Sequence, residues 1–153
     1  MRPRIKIGLI AGAIGLVLNA CVAGLIGFCG PVVALVAGGL AGFFAARQEN
    51  PPTRNEGAKT GATAGGIAGV LIIVGQVIGA IGALVYMQAS GTQPIFGEIP
   101  SMDSSPSILI GYYFGGLGTG LCFGIVGALL AAGVGAGAGY MATSDQSPAE
   151  PAA

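Results

Sequence analysis

Long runs without a charged residue define the pattern of this sequence. They cover residues 7–46, 60–97 and 104–144. An α-helix needs about 20 apolar residues to cross the roughly 30 Å hydrocarbon core of a bilayer, so the first run is long enough for two crossings. It contains Gly30-Pro31 near its middle, which is a strong turn signal. The pattern therefore predicts four helices, at about 5–28, 31–46, 60–87 and 108–132. Ser107 is the expected N-cap of the fourth, which reaches Tyr140 if it continues through the small residues that follow.

The composition places the chain among membrane proteins. Only 8% of its 153 residues are charged, and its mean hydropathy is +0.81. Soluble domains carry about 25% charged residues, and this chain has too few to cover a water-exposed surface. We therefore predict an all-α, polytopic membrane protein that folds as a four-transmembrane-helix bundle.

The basic residues predict the orientation of the bundle. All six lie at or before the start of the first helix or between the second and third: Arg2, Arg4, Lys6, Arg47, Arg54 and Lys59. With four spans both segments fall on one side, and the positive-inside rule makes that side cytoplasmic. Both termini are then cytoplasmic in a multi-pass protein of the cell (plasma or inner) membrane. Four tyrosines are the expected interface anchors: Tyr86, Tyr112 and Tyr113 on the outer side and Tyr140 on the inner side.

This orientation gives a single transmembrane domain over residues 1–141. A cytoplasmic loop is predicted at 47–59 and an extracytoplasmic loop at 88–107, which contains Pro94, Pro100 and Pro106. The polar segment 142–153 is rich in proline and alanine, and we expect it to be a disordered cytoplasmic tail.

Glycines recur at helical spacing in all four predicted helices. Residues four apart lie on one helix face, and small residues there let two helix backbones approach closely in lipid. The residues expected to form such GxxxG-like packing faces are Gly8, Gly12, Gly38, Gly42, Gly61, Gly65, Gly69, Gly116, Gly120 and Gly124. A glycine-rich composition without any packing role is the alternative explanation.

Two amide side chains, Asn19 and Gln76, fall inside the predicted spans. Asn19 lies 13 residues after Lys6, and Gln76 lies 17 residues after Lys59. At about 1.5 Å per residue, their depths differ by about 6 Å, which two side chains and some tilt can bridge. We expect an intramembrane polar pair between the first and third helices. A polar lining for a small solute is the alternative.

The first and third helices also share a repeat at a constant offset of 53 residues. Aligning Lys6 with Lys59 matches Gly8 with Gly61 and Gly12 with Gly65, among others. A true repeat implies two helical hairpins related by an axis along the membrane normal.

The predicted spans lack the groups that most chemistry needs. Apart from Lys6 at the start of the first, they contain no Asp, Glu, Lys or Arg, and the chain has no His. Proton relays and coupled transporters generally place such groups in the membrane, and nucleophilic triads and zinc sites draw on His. We therefore expect no enzyme, no metal, no cofactor and no nucleic-acid partner. The expected partners are the lipid bilayer and a second copy of the chain or a larger membrane complex.

Three segments carry a resemblance to known proteins. They are Asn19-Ala-Cys, the stretch from Gly30-Pro31 to Ala46-Arg47, and Gly57-Ala-Lys-Thr-Gly-Ala-Thr-Ala-Gly-Gly. Over about residues 6–85 the chain resembles uncharacterised small, glycine-rich, four-helix integral membrane proteins of bacteria and archaea. The resemblance implies a membrane fold and no known activity.

These observations leave several functional hypotheses. The first is a structural or accessory membrane protein that associates with itself or a membrane complex through its glycine-rich faces. The second is a small pore or permeation module for a small neutral solute or ion, lined by Asn19, Gln76, Thr119 and Tyr112. In the third, the loop at 88–107 is the working surface. The fourth is a lipoprotein, since Leu18-Asn19-Ala20-Cys21 resembles a lipobox that would leave Cys21 as a lipidated N-terminus.

Overall fold

The chain forms four α-helices in a computed structural model that describes residues 2–23, 30–91, 100 and 104–144. They are α1 (Pro3–Ala23), α2 (Gly30–Glu49), α3 (Arg54–Ser90) and α4 (Pro106–Ala142). Each is long and apolar enough to cross a membrane. The prediction of an all-helical chain with four candidate membrane-spanning helices is confirmed.

The helices extend beyond the charge-free runs from which they were predicted. α2 continues through Arg47 to Glu49, and α3 begins at Arg54, so residues 50–53 alone connect them instead of the predicted 47–59. Arg, Lys, Gln and Glu are good helix formers. A charged residue therefore ends the apolar segment but does not end the helix. α4 likewise continues past residue 132 to Ala142.

Local signals at the helix ends explain where α3 and α4 start and stop. Thr53 has extended backbone, and its Oγ1 accepts a hydrogen bond from the backbone N–H of Glu56 (3.3 Å), which caps α3. Gly91 ends α3 with a left-handed backbone (φ 66°). Ser107 was expected to cap α4, and that expectation is wrong. Ser105 is the N-cap, because Pro106 already takes the first helical turn, where its missing N–H costs little.

Some predictions fall on residues that the structure does not describe. They are the end of the first helix at residue 28, most of the loop at 88–107 and the tail from residue 145 onward.

The four helices pack with α2 and α3 at the centre. α1 contacts α2 and α3, α4 contacts the same two helices, and α2 and α3 contact each other. Between the described residues of α1 and α4 there is no contact. A two-fold axis relating the two hairpins would make the α1–α4 pair equivalent to the α2–α3 pair. The repeat between the first and third helices is therefore not matched by symmetric packing.

The interior of the bundle consists mainly of small side chains. Its buried apolar residues are Ala34, Ala37, Ala41, Ala45, Ala46, Ala64, Ala68, Ile72 and Ala131. Large apolar side chains point outward instead, with Phe114 70% exposed and Leu129 69% exposed. In water such a surface would promote association, whereas in lipid the tails are as apolar as the side chains they meet.

Candidate functional site

The closest approach of helix backbones lies where α2, α3 and α4 meet. Ala131 and Gly135 of α4 occupy the groove between α2 and α3. A Cβ placed on Gly38 or on Gly65 would overlap the carbonyl of Ala131. A Cβ on Gly42 or on Gly61 would overlap the carbonyl of Gly135 in the same way. We call these residues, Gly38, Gly42, Gly61, Gly65, Ala131 and Gly135, the three-helix junction.

The remaining predicted packing glycines also face a neighbouring helix, at varying distance. A Cβ on Gly8 would lie 2.8 Å from the Ala64 carbonyl oxygen, and a Cβ on Gly69 would lie 2.8 Å from Ala128 Cα. Gly12 faces Ala68 and Leu71 of α3. Near the other end of α4, Gly116, Gly120 and Gly124 face side chains of α3 at Leu84, Ala80 and Ile73. These three sites are less crowded: a Cβ on Gly116 would meet the flexible end of Leu84, and a Cβ on Gly120 or Gly124 would lie 3.1 or 3.3 Å from its nearest neighbouring atom.

Sequence reasoning missed several glycines at the tightest contacts. Gly75 faces the backbone of Leu16, and Gly139 faces the backbone of Gly57. Gly135 lies in the three-helix junction itself. Residues 131, 135 and 139 keep the four-residue spacing used elsewhere, so the signal was present. Gly135 and Gly139 lie in the extension of the fourth helix towards Tyr140, beyond the 108–132 segment from which its packing face is predicted.

The amides of Asn19 and Gln76 are joined inside the bundle. Asn19 Nδ2 donates to Gln76 Oε1 (2.9 Å) and to the backbone carbonyl of Ile72 (3.2 Å). Both side chains are buried. Asn19 Oδ1 is buried without a hydrogen-bond partner among the described residues. This pair is the polar link between α1 and α3.

The other proposed pore residues do not join this pair. Thr119 lies on the exposed surface of α4, and its hydroxyl donates to the carbonyl of Gly115 in the same helix (2.9 Å). Tyr112 packs edge-to-face on Tyr113, with ring centroids 5.6 Å apart. Both tyrosines are on α4, which does not contact α1 within the described residues.

The basic residues lie at one end of the bundle, where α1 and α3 begin and α2 ends. Glu49 connects three helices there. It accepts from the backbone N–H of Arg4 (3.1 Å) and from Thr60 Oγ1 (3.2 Å), and it lies 3.8 Å from the Arg4 guanidinium. We call this the basic end. Arg2, Lys6 and Lys59 are exposed on the surrounding surface.

Aromatic side chains lie towards both ends of the helices. At the basic end, Arg54 lies over the ring of Tyr140 at 5.5 Å. Towards the opposite end, Tyr113 donates a hydrogen bond to Gln88, and Gln88 Nε2 donates to the carbonyl of Pro100 (3.2 Å). Tyr86 is exposed.

One face of α4 carries glycines that the bundle does not use. Among the described residues, a Cβ added to any of these glycines would have no heavy atom within 4 Å: Gly111, Gly115, Gly118, Gly133 and Gly137. Gly111, Gly115 and Gly118 recur at helical spacing, and the exposed Cys122 continues their row by one turn. Gly133 and Gly137 lie on the same face, beyond the exposed side chains of Val126 and Leu129. We call this row, with Cys122, the outer face of α4.

No metal-binding group of three or more His, Cys, Asp or Glu occurs in the described part of the chain. Cys21 and Cys122 are exposed on α1 and α4, and Cys29 falls among residues 24–29, outside the described residues. In comparisons with protein-family models, curated proteins and solved structures, none matches this chain. Its function must therefore be argued from its own geometry.

Proposed function

We propose that this chain is a multi-pass protein of the cell membrane with both termini in the cytoplasm. Its role is that of a structural or accessory component that associates with a second copy of itself or with a larger membrane complex. Four apolar helices with outward-facing large side chains support the membrane location. The grouping of Arg2, Arg4, Lys6, Arg47, Arg54 and Lys59 at the basic end supports the orientation.

The observation that carries the association is the division of the α4 glycines into two sets. Buried glycines such as Gly124 and Gly135 face α2 or α3, which is what GxxxG-like packing inside the bundle requires. The glycines of the outer face contact no other helix in the part of the bundle that the structure describes. Small residues on a lipid-facing surface allow another helix backbone to approach, which is the main source of helix association in membranes. We therefore place the association surface on the outer face of α4.

The chain supplies its own reporter for this surface, because Cys122 is exposed on the outer face. In membranes containing a Cys21→Ser, Cys29→Ser background, we expect a thiol-specific crosslinker to join two copies through Cys122. Combining Gly115→Leu with Gly118→Leu should abolish the crosslink, because leucines there would hold the two backbones apart. Gly82→Leu on α3 is the matched control, since Gly82 is also exposed and unobstructed.

Loss of the crosslink in Gly82→Leu as well, or its persistence in the α4 variant, would refute self-association through this face. Flux of a neutral solute through liposomes containing the crosslink-deficient variant would instead support the pore hypothesis.

An uncleaved N-terminus is part of the proposal. Cleavage before Cys21 would remove most of α1, including the Asn19 amide and the Gly8 and Gly12 contacts with α3. Intact-mass measurement tests this directly, because a lipoprotein would lack the first 20 residues and carry added acyl mass at Cys21.

A further inference from the structure

A trough on the outside of the bundle lies between α1 and α2. Its volume is about 770 Å³. Its floor is made of small residues such as Gly15 and Ala37, and its walls are exposed, bulky side chains from the two helices. The wall residues are Ile10, Ile14 and Leu18 of α1 and Val36, Leu40 and Phe44 of α2. We call this feature the α1–α2 trough.

The trough is long enough to extend through one leaflet of a bilayer. Its lining on α2 runs from Val32 and Val33 to Arg47 and Gln48. At about 1.5 Å per residue, the distance from Val33 to Arg47 is about 21 Å. One leaflet of a roughly 30 Å hydrocarbon core is about 15 Å thick, so the trough can hold an acyl chain over its full depth.

A positive charge lies at the mouth of the trough. Arg47 is exposed at the basic end, and in the described part of the chain its guanidinium contacts the Phe43 ring at 5.3 Å and forms no ion pair. The nearby carboxylate of Glu49 is already engaged by Arg4 and Thr60. Arg47 can therefore bind an external phosphate, which a guanidinium matches in geometry.

We propose that the α1–α2 trough binds an acyl chain of an anionic phospholipid, with the lipid phosphate on Arg47. The apolar walls suit the acyl chain, and the Arg47 guanidinium at one end, which forms no ion pair with a described residue, favours a headgroup of net negative charge over a zwitterionic one. The lipid belongs to the leaflet at the basic end, so this inference rests on the proposed membrane location. One basic residue near an anionic surface contributes about fivefold in affinity.

The absence of tryptophan from the chain makes a direct test available. Val36→Trp places a single fluorophore on the trough wall, and Val70→Trp is its matched control on α3. The two valines are 59% and 60% exposed, and each is 11 residues from a basic residue, Arg47 or Lys59. Each variant is placed in vesicles of equal phosphatidylglycerol and phosphatidylcholine, with bromine on the acyl chains of one lipid or the other.

We expect brominated phosphatidylglycerol to quench Val36→Trp about fivefold more effectively than brominated phosphatidylcholine does. Val70→Trp should be quenched equally by both. Adding Arg47→Gln to Val36→Trp should remove the preference, whereas Arg2→Gln, at an exposed arginine outside the trough, should leave it intact.

Equal quenching of Val36→Trp by the two lipids would overturn the inference. Protection of Val36→Trp from both lipids, with Val70→Trp still quenched, would also overturn it, because a second copy or another protein would then cover the trough. If neither tryptophan is quenched, the chain is outside the bilayer and the proposed membrane location fails instead.

A second measurement avoids the tryptophan substitutions. Native mass spectrometry from mild detergent should find phosphatidylglycerol retained by the unaltered chain and by Arg2→Gln, and about fivefold less retained by Arg47→Gln. Equal retention by all three proteins would overturn the inference.

Discussion

The side-chain amide of Asn19 makes only some of the hydrogen bonds that it can form. Its amide group donates to Gln76 and to the Ile72 carbonyl, while its own oxygen is buried without a partner among the described residues. An unsatisfied buried acceptor costs about 1–3 kcal/mol, which offsets part of what the two hydrogen bonds contribute. The pair therefore specifies how α1 and α3 align more than it stabilises the bundle.

This reasoning gives a prediction for Asn19→Leu and Gln76→Leu. Either change alone removes the Asn19–Gln76 hydrogen bond and leaves the other amide buried, whereas the double change removes both polar groups together. We expect the double variant to be more stable than the sum of the single changes implies, by about 0.6–2 kcal/mol. Unfolding titrations in mixed detergent micelles measure the four free energies of the cycle.

Thr119→Val is the control for this cycle. Thr119 is also polar within a predicted span, but it is exposed and bonded within its own helix, so its replacement should change stability by less than about 0.5 kcal/mol. Additive single changes at Asn19 and Gln76 would show that the two amides are not coupled.

At the residue scale, the sequence could predict which side chains are close but not all their partners. Counting residues from Lys6 and Lys59 placed Asn19 and Gln76 at similar depth, and the structure joins them. The second acceptor, the Ile72 carbonyl, is a backbone group, and every residue of a helix has one. A pattern of side chains gives no reason to select Ile72.

At the scale of a helix, the two sides of α3 differ in the space that they leave for a larger side chain. Gly65 lies in the three-helix junction, where a Cβ would overlap the backbone carbonyl of Ala131. Its chain neighbour Gly66 has no heavy atom within 4 Å of the same position. The two glycines therefore form a matched pair, one facing α4 and the other facing away.

We predict that Gly65→Ala lowers the free energy of unfolding by about 1–3 kcal/mol, because backbone atoms must move to admit the methyl group. Gly66→Ala should leave it unchanged or raise it by up to about 1 kcal/mol, since alanine is the better helix former. Thermal or denaturant unfolding in detergent compares the two proteins. Equal effects at both positions would mean that close packing at the junction contributes nothing.

Helix spacing predicted the existence of small-residue faces but not which of them face inward. In α4 the glycines occur on several sides, so spacing alone allows more than one inward orientation. The choice depends on what α2 and α3 present, and Gly38, Gly42, Gly61 and Gly65 together form the groove that fits Ala131 and Gly135. Such a fit among three helices is a property of their combined shape.

At the scale of the whole molecule, the basic end predicts how the bundle lies in the membrane that we propose as its location. Asn55 is exposed beside the basic end, and Ser107 is exposed at the start of α4, at the opposite end of the bundle. In a variant without cysteines, we expect a membrane-impermeant maleimide to label Ser107→Cys in intact cells. Asn55→Cys should be labelled only after the cells are permeabilised. The reverse pattern would invert the orientation, and equal labelling of both would rule out four complete spans.

The number of helices could be predicted from the sequence because charged residues are costly in hydrocarbon, so the predicted spans appear as long runs without charge. No comparable sequence pattern indicates which helices are neighbours in the bundle. The central position of α2 and α3 follows from where small residues on three helices coincide, and the repeat at offset 53 pointed to a symmetric arrangement instead. Function is still harder to predict from the sequence, because helix packing and lipid contact both use the same small and apolar residues.

The alanine and glycine interior has a consequence for how this protein can vary. In a soluble protein the large apolar residues are the constrained ones, because they fill the core. Here most large apolar positions face outward, so exchanges among leucine, isoleucine, valine and phenylalanine alter little apart from the trough walls. The smallest residues carry the constraint, since each added methyl group in the junction meets backbone. Tolerance to substitution is thus inverted: we expect exchanges among bulky residues to have little effect on stability, and added volume in the three-helix junction to have the largest effect.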